Sequence, residues 1–246
     1  METMAGQQRF FQLDGQWCIV HVPERPNGFA LFLMGDGDHF VNEQTSFWLE
    51  HPGRRQWLEE WLERGYTVFY SHLYGRHWGS PKAVRLARQL IYSVLKSEIV
   101  NKRIYIVAEG MGALVASQLL GAMPRQIRAV AMINPCLDVR AQLSYAQEHS
   151  LMYRRMVKEI ALAYGMKEEE VPEAVPSLFL SPHDVPVTIW QLAGVSEYPS
   201  ALHSRKYEQW MKTMNDRVRV VYHLLERRRQ LAAQIGQFFR QYNELP

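Results

Sequence analysis

The stretch RIYIVAEGMGALVASQLLGAM, residues 103–123, decides the fold of this chain. Its first part, residues 103–108, is a continuous apolar run of strand length, typical of a strand buried on both faces of a parallel sheet. Its second part, residues 111–123, is rich in small residues and predicts a helix. Gly110 predicts a sharp strand-to-helix turn between the two, because glycine accepts backbone angles that other residues avoid.

Strand and helix patterns alternate on both sides of this stretch. Asp14-Gly15 separates β-rich runs at residues 10–13 and 16–22, which predicts an antiparallel hairpin. Further strands are predicted at residues 29–34, 66–73, 103–108, 127–134, 185–192 and 217–224, and helices at 54–64, 80–97, 111–123, 204–214 and 230–242. Consecutive βαβ units build right-handed parallel sheets. The chain is therefore predicted to be an α/β protein with a doubly wound, mostly parallel sheet and an N-terminal antiparallel hairpin.

Residues 1–246 are expected to form one domain, because this length suits a single α/β core and no Pro/Gly/Ser-rich linker divides the chain. Residues 137–183 turn helical, with the clearest helix at 152–164 and a solvated charge run at 167–170. This region predicts a small cap-like helical insertion between two core strands.

Charge and cysteine content exclude several classes of protein. The net charge is only +3 and the basic residues are scattered, so no nucleic-acid-binding surface is predicted. Residues 1–8 lack a secretory signal, and no apolar run has the length of a membrane span. Cys18 and Cys136 are expected to be reduced thiols, which favours a cytoplasmic location. No zinc-site spacing is present, no cofactor is expected, and the oligomeric state stays open.

The turn at residues 108–112, Ala-Glu-Gly-Met-Gly, is similar to the nucleophile elbow G-x-S-x-G. With the order of elements, it makes the whole chain resemble the α/β-hydrolase superfamily, specifically a serine esterase- or lipase-like member with glycine in place of serine. The resemblance assigns Gly110 to the nucleophile position and the Met111 N–H to the oxyanion hole. It also implies a second N–H donor at Gly35 or Asp36, in a loop that resembles the family's His-Gly-x-Gly motif.

The other two triad positions also depart from the family pattern. Where the resemblance implies an aspartate, residues 194–199 contain only Glu197. Where it implies a histidine after the last strand, His223 comes one or two residues early and is expected to lie within the strand. Acyl transfer needs a nucleophile, a base and an orienting acid in mutual hydrogen-bond reach. No serine triad is predicted at these positions.

Three side chains are candidates for other acid–base chemistry: Asp36, His39 and Glu109. The alternative for Asp36 and His39 is a polar turn, and for Glu109 a local pairing at the helix N-terminus. The predicted ligand-binding residues are Gly35, Asp36, Gly110, Met111 and Trp78.

Other polar residues near the predicted loops have plain structural interpretations. His77 and Trp78 are expected to pack against the insertion unless they line the pocket. Cys136 is interpreted as a small buried residue rather than a thiol nucleophile. His183-Asp184 is interpreted as a surface turn, and residues 226–229 as a charged face of the last helix.

Three functions remain open from the sequence. The first is a catalytically degenerate pseudo-hydrolase that binds a small carbonyl- or carboxylate-bearing ligand or a partner. The second is an active hydrolase with a non-serine mechanism that uses Asp36, His39 or Glu109. The third is a protein-interaction module that uses residues 137–183. A fold of this kind does not decide among them.

Overall fold

A computed structural model describes residues 6–176 and 182–243 of the chain. The strands are β1 (Gln7–Leu13), β2 (Gln16–Val22), β3 (Ala30–Met34), β4 (Thr67–Ser71), β5 (Ile104–Glu109), β6 (Ile127–Ile133), β7 (Val187–Leu192) and β8 (Val218–His223). The α-helices are α1 (Phe47–Glu50), α2 (Pro52–Glu63), α3 (Pro81–Ser97), α4 (Gly112–Ala122), α5 (Val139–Ala146), α6 (Ser150–Tyr164), α7 (Val171–Ala174), α8 (Ser204–Lys212) and α9 (Leu231–Arg240). Short 3₁₀ turns cover Pro124–Gln126, Glu168–Glu170 and Leu225–Gln230.

The strands form one eight-stranded sheet in the order β1-β2-β4-β3-β5-β6-β7-β8. β1 and β2 form an antiparallel hairpin, and β2 pairs antiparallel with β4. All pairs from β4 to β8 are parallel. Every residue of β3, β4, β5 and β6 is buried, as the continuous apolar runs indicate. The predicted doubly wound, mostly parallel sheet with an N-terminal hairpin is confirmed.

Helices cover both faces of the sheet. One face packs against α3, α4 and α8, with Leu90 and Leu119 in the shared core. The opposite face packs against α2 and α9, with Trp61 and Phe239 among its fully buried side chains. Because both faces are covered, the accessible edge of the parallel strands is their carboxyl end, where ligands bind in sheets of this kind.

The predicted insertion forms α5, α6 and α7 between β6 and β7. Its apolar side chains pack on Trp78, Met111 and Leu114, so it lies over the carboxyl ends of the strands. Residues 177–181 of the predicted insertion, and residues 1–5 and 244–246 of the predicted single domain, lie outside the described residues.

The interpretation of His183 as part of a surface turn is wrong. Its side chain is buried, and its Nε2 lies 2.6 Å from the hydroxyl of Tyr207 in α8. The short helix α1 was not predicted from the sequence. Its four residues are too few to show the spacing of apolar residues that indicates a helix.

Both cysteines are free and buried, as expected. Burial raises the pKa of the Cys136 thiol well above its usual range, which disfavours the thiolate that a nucleophile needs. Within the described ranges, no helix is both long and apolar enough to cross a membrane.

Candidate functional site

The turn between β5 and α4 is built around Gly110. Gly110 is buried with a φ of +52°, in the left-handed region that favours glycine. Its N–H donates to the carbonyl of Ile133 at 3.0 Å, and its own carbonyl accepts from the Cys136 N–H at 2.9 Å. The predicted sharp strand-to-helix turn is therefore anchored on both sides by β6 and the loop that follows it.

The carboxylate of Asp36 lies directly over Gly110. A Cβ atom built on Gly110 would come within 2.1 Å of Asp36 Oδ2. Asp36 Oδ1 accepts hydrogen bonds from the N–H of Met111 at 3.1 Å, from the N–H of Gly37 at 2.9 Å and from the hydroxyl of Tyr198 at 3.2 Å. A carboxylate from the loop after β3 thus fills the space in which a side chain at position 110 would lie.

The Met111 N–H is therefore occupied by the chain's own carboxylate. The sequence led us to expect that this N–H, with one from Gly35 or Asp36, would be free to hold a ligand carbonyl. Burial raises the pKa of Asp36 to about 6, partly opposed by the hydrogen bonds from Gly37 and Met111. The Asp36 carboxyl group therefore titrates close to neutral pH.

Glu109, at the end of β5, makes a buried ion pair with Arg54 and a partly exposed one with Arg228. Its Oε1 accepts from Arg54 of α2 and from Arg228 of the 3₁₀ turn after β8, the latter at 3.1 Å. Burial opposes the charge of Glu109, but the attraction of Arg54, His39 and Arg228 outweighs it and lowers the pKa. The expected local pairing at the helix N-terminus is wrong, because the partners come from distant elements.

His39 packs against the same carboxylate. Its Nε2 lies 4.0 Å from Glu109 Oε2, and its ring stacks on Phe47 with a centroid distance of 4.1 Å. Burial lowers the pKa of His39 to about 4, so the imidazole is neutral at physiological pH. Gly35 is needed here for close approach, since a Cβ atom built on it would lie 2.2 Å from His39 Nδ1.

One cavity of about 590 Å³ opens beside these groups. The predicted residues Asp36, His39, Trp78, Glu109 and Gly110 all line it, whereas Gly35 and Met111 do not. Its lining has a nearly balanced set of charges: Asp36, Asp38, Glu109, Glu159, Glu197, Arg54, Arg76, Arg155 and Arg228. Among the residues that the structure describes, no group of three or more His, Cys, Asp and Glu side chains is placed to hold a metal ion.

Trp78 joins the cavity wall to the insertion. Its indole N–H donates to Glu159 Oε2 of α6 at 3.0 Å, and its carbonyl accepts from the Tyr164 hydroxyl at 2.9 Å. Its backbone N–H points at the Met111 sulfur, 3.1 Å away. His77 is buried and does not line the cavity. Trp78 therefore both packs against the insertion and lines the pocket.

Sequence reasoning missed Arg54, Arg228 and Tyr198. Arg54 falls inside an amphipathic helix, where a charged residue is usually exposed, yet only 4% of its surface is accessible. The signal that could have found Arg54 is the pair of tryptophans on either side of it in sequence, because its guanidinium lies 5.5 Å from the Trp48 ring and 4.3 Å from the Trp57 ring.

Solved structures share this arrangement of strands and helices. An esterase from Pyrococcus furiosus has a TM-score of 0.67 at 14% identity, over 97% of this chain and 92% of that chain. Est1E from Butyrivibrio proteoclasticus has a TM-score of 0.63 at 14% identity, over 97% and 99%. A puromycin-hydrolyzing peptidase from Mycobacterium tuberculosis has a TM-score of 0.67 at 12% identity, over 98% of this chain and 40% of that chain.

This chain has the α/β-hydrolase fold. No family profile matches the sequence, and the curated proteins contain no significant match to it.

The loops after the last two strands of this α/β-hydrolase fold place no histidine in the cavity. His223 is the last residue of β8, as expected, and its Nδ1 lies 3.1 Å from the carbonyl of Leu224. It does not line the cavity, and Arg228 of the following turn does. After β7, the loop contributes Glu197 and Tyr198, and Tyr198 donates to Asp36.

Proposed function

We propose that this chain is a catalytically degenerate pseudo-hydrolase, in which Gly110 stands at the nucleophile position of the α/β-hydrolase fold. It binds a small ligand in the 590 Å³ cavity and does not cleave it. The observation that carries this proposal is the Asp36 carboxylate, which lies over Gly110 and accepts the Met111 N–H. With no hydroxyl at position 110 and with the Met111 N–H occupied, the site lacks the family's nucleophile and one of its oxyanion-hole donors, which acyl transfer needs.

The remaining groups support the same conclusion. Glu109 is held by Arg54 and Arg228, so its carboxylate is already neutralised and is a weak base. His39 has a pKa of about 4, too low for an efficient general base near neutral pH. The cavity nevertheless has the size of a small-molecule site, with apolar walls from Trp78, Met152 and Met156. Ligand binding is the function that these features favour, and the free buried thiols support a cytoplasmic location.

One observation favours a second candidate, an active hydrolase with a non-serine mechanism. Asp36 Oδ2 has no hydrogen bond to the described residues and faces the same cavity as His39 and Glu109. With a pKa of about 6, Asp36 is suited to take a proton from a water molecule near neutral pH. In this case the substrate would be hydrolysed without a covalent serine intermediate.

Ester hydrolysis separates the two candidates. Wild-type protein and an Asp36→Asn variant are incubated with p-nitrophenyl esters from acetyl to octanoyl, and with a fluorophosphonate probe. We expect neither protein to release p-nitrophenol above the buffer background, and neither to be labelled, because glycine at position 110 provides no nucleophile.

Turnover by the wild type that disappears in Asp36→Asn would overturn the pseudo-hydrolase proposal and establish Asp36 as a catalytic group. Fluorophosphonate labelling of the wild type would overturn it as well, since it requires a reactive hydroxyl.

A further inference from the structure

We propose that Arg54 and Arg228, with Arg229, form a binding site for an anionic group of the ligand, a carboxylate or a phosphate. This inference rests on the proposed function, because it names the chemical class that the pocket takes. The sequence led us to expect a ligand carboxylate on backbone N–H donors, but Asp36 holds the Met111 N–H. The guanidinium groups of Arg54 and Arg228 are charged donors in the cavity wall.

The positive charges around Glu109 exceed its negative charge. Arg54 and Arg228 both donate to the same oxygen, Oε1 of Glu109. Two guanidinium charges therefore face one carboxylate, so the group of Arg54, Arg228 and Glu109 has one positive charge in excess. His39 is neutral at physiological pH and does not change this balance. Burial and the neighbouring charge of Arg228 lower the pKa of Arg54, while Glu109 opposes the effect.

A ligand can reach Arg228 from two cavities. A second cavity of about 430 Å³ adjoins the first, and Arg54, Arg228 and His51 line both. Arg229 and Trp57 line the second cavity, whose one acidic side chain is Glu226. The Arg228 side chain is 45% exposed, so an anion can reach it directly from either side. Arg54 and Arg228 thus stand in the shared wall of two cavities, with Arg228 open to solvent and Arg54 buried behind it.

Neighbouring side chains hold the Arg54 guanidinium in a fixed orientation. The Arg54 guanidinium lies against the rings of Trp48 and Trp57, and Glu109 holds one of its nitrogens. Its other terminal nitrogen, Nη1, is buried and has no hydrogen-bond partner among the described residues. Arginine's planar fork suits the paired oxygens of carboxylates and phosphates. An oxyanion beside Arg228 would offset the charge that Glu109 leaves uncompensated.

The rest of the ligand would lie in the larger cavity. From Arg54 and Arg228 the wall continues to the apolar side chains of Trp78 and, from α6 of the insertion, Met152 and Met156. A small amphipathic molecule with an anionic end and an aromatic or aliphatic body fits both parts.

Binding of matched probes tests the inference. Phenylphosphate, benzoate and neutral benzamide are titrated by calorimetry into wild type and into Arg228→Gln and Arg227→Gln. Arg227 is the matched control, because it is an exposed arginine of the same turn that lines neither cavity. We expect the wild type and Arg227→Gln to bind an anionic probe and not benzamide. In Arg228→Gln the affinity should fall about tenfold or more, as for loss of one charge-assisted hydrogen bond.

The two anionic probes distinguish the source of the oxyanion. Tighter binding of phenylphosphate identifies a phosphate-bearing ligand, and tighter binding of benzoate a carboxylate. Equal binding by Arg228→Gln and wild type, or no binding of either anion, would overturn the inference.

Failure of this inference is distinguishable from failure of the proposed function. Ester turnover by the wild type would overturn the pseudo-hydrolase proposal without moving the anion affinities. Loss of anion binding in a protein without turnover would leave that proposal intact and remove only the arginine site.

Discussion

A Gly110→Ser variant is expected to lose about 3–5 kcal/mol of unfolding free energy and to gain no hydrolase activity. Serine would have to adopt the φ of +52° that glycine holds. Its Cβ would also overlap Asp36 Oδ2, so the carboxylate would have to leave its three hydrogen bonds. Chemical denaturation measures the stability, and the fluorophosphonate probe measures the reactivity of the new hydroxyl.

Gly165 offers a matched control for this variant. It has a φ of +70° at the C-terminus of α6, and nothing lies within 4 Å of an added Cβ. Gly165→Ser should therefore cost only the backbone strain, about 1–2 kcal/mol. The excess loss at Gly110 should shrink when Asp36→Ala is added, because the two residues are in contact. Equal losses at the two glycines would show that Asp36 does not lie over Gly110.

A Glu109→Gln variant should also lose about 3–5 kcal/mol of stability, because it leaves the buried guanidinium of Arg54 without a counter-charge. Only 4% of Arg54 and 7% of Glu109 is accessible, so water replaces little of the lost attraction. Since the folded state lowers the pKa of Glu109, this contribution is present at neutral pH. This contribution to stability is lost as the pH falls below the ordinary pKa of a glutamate.

Glu60→Gln is the control for the loss of a glutamate charge. Glu60 of α2 pairs with Arg64, one helical turn later, and the two side chains are 30% and 28% exposed. The loss there should be at most about 0.5 kcal/mol. Urea denaturation of both variants measures the two losses of unfolding free energy. Adding Arg54→Met to Glu109→Gln should recover part of the lost stability, because it removes the unpaired buried charge. A cost of less than about 1 kcal/mol for Glu109→Gln would contradict a buried, charge-paired Glu109.

The sheet could be predicted from the sequence because its strands and helices have clear periods. The fully apolar runs of β3 and β5 indicate strands covered on both faces, and Gly110 indicates the turn into α4. Those signals are local, since they depend on residues within one element and its cap. They were sufficient to predict the order of strands and helices and the edge of the sheet at which the site lies.

The contacts of the site could not be predicted in the same way. Asp36 and Met111 are 75 positions apart, and Arg54 and Glu109 are 55 apart. Periodicity says which face of an element is buried, but not which two side chains from different loops meet. The loop after β3 was expected to offer one N–H donor, at Gly35 or Asp36, beside a free Met111 N–H. It also supplies the carboxylate that accepts the Met111 N–H. Arg228 lies in the run of residues 226–229 that the sequence indicates as a charged face of the last helix, and local charge does not show which of these arginines reaches the cavity.

The central claim is that the Asp36 carboxylate accepts the Met111 N–H over Gly110. Amide ¹H–¹⁵N shifts of wild type and Asp36→Asn, recorded from about pH 4 to about pH 8, test it most directly. We expect the Met111 and Gly37 signals of the wild type to move with a midpoint near the pKa of about 6, because deprotonation strengthens their hydrogen bonds. The movement should be absent in Asp36→Asn. A Met111 signal that does not titrate, or that titrates equally in both proteins, would contradict the claim.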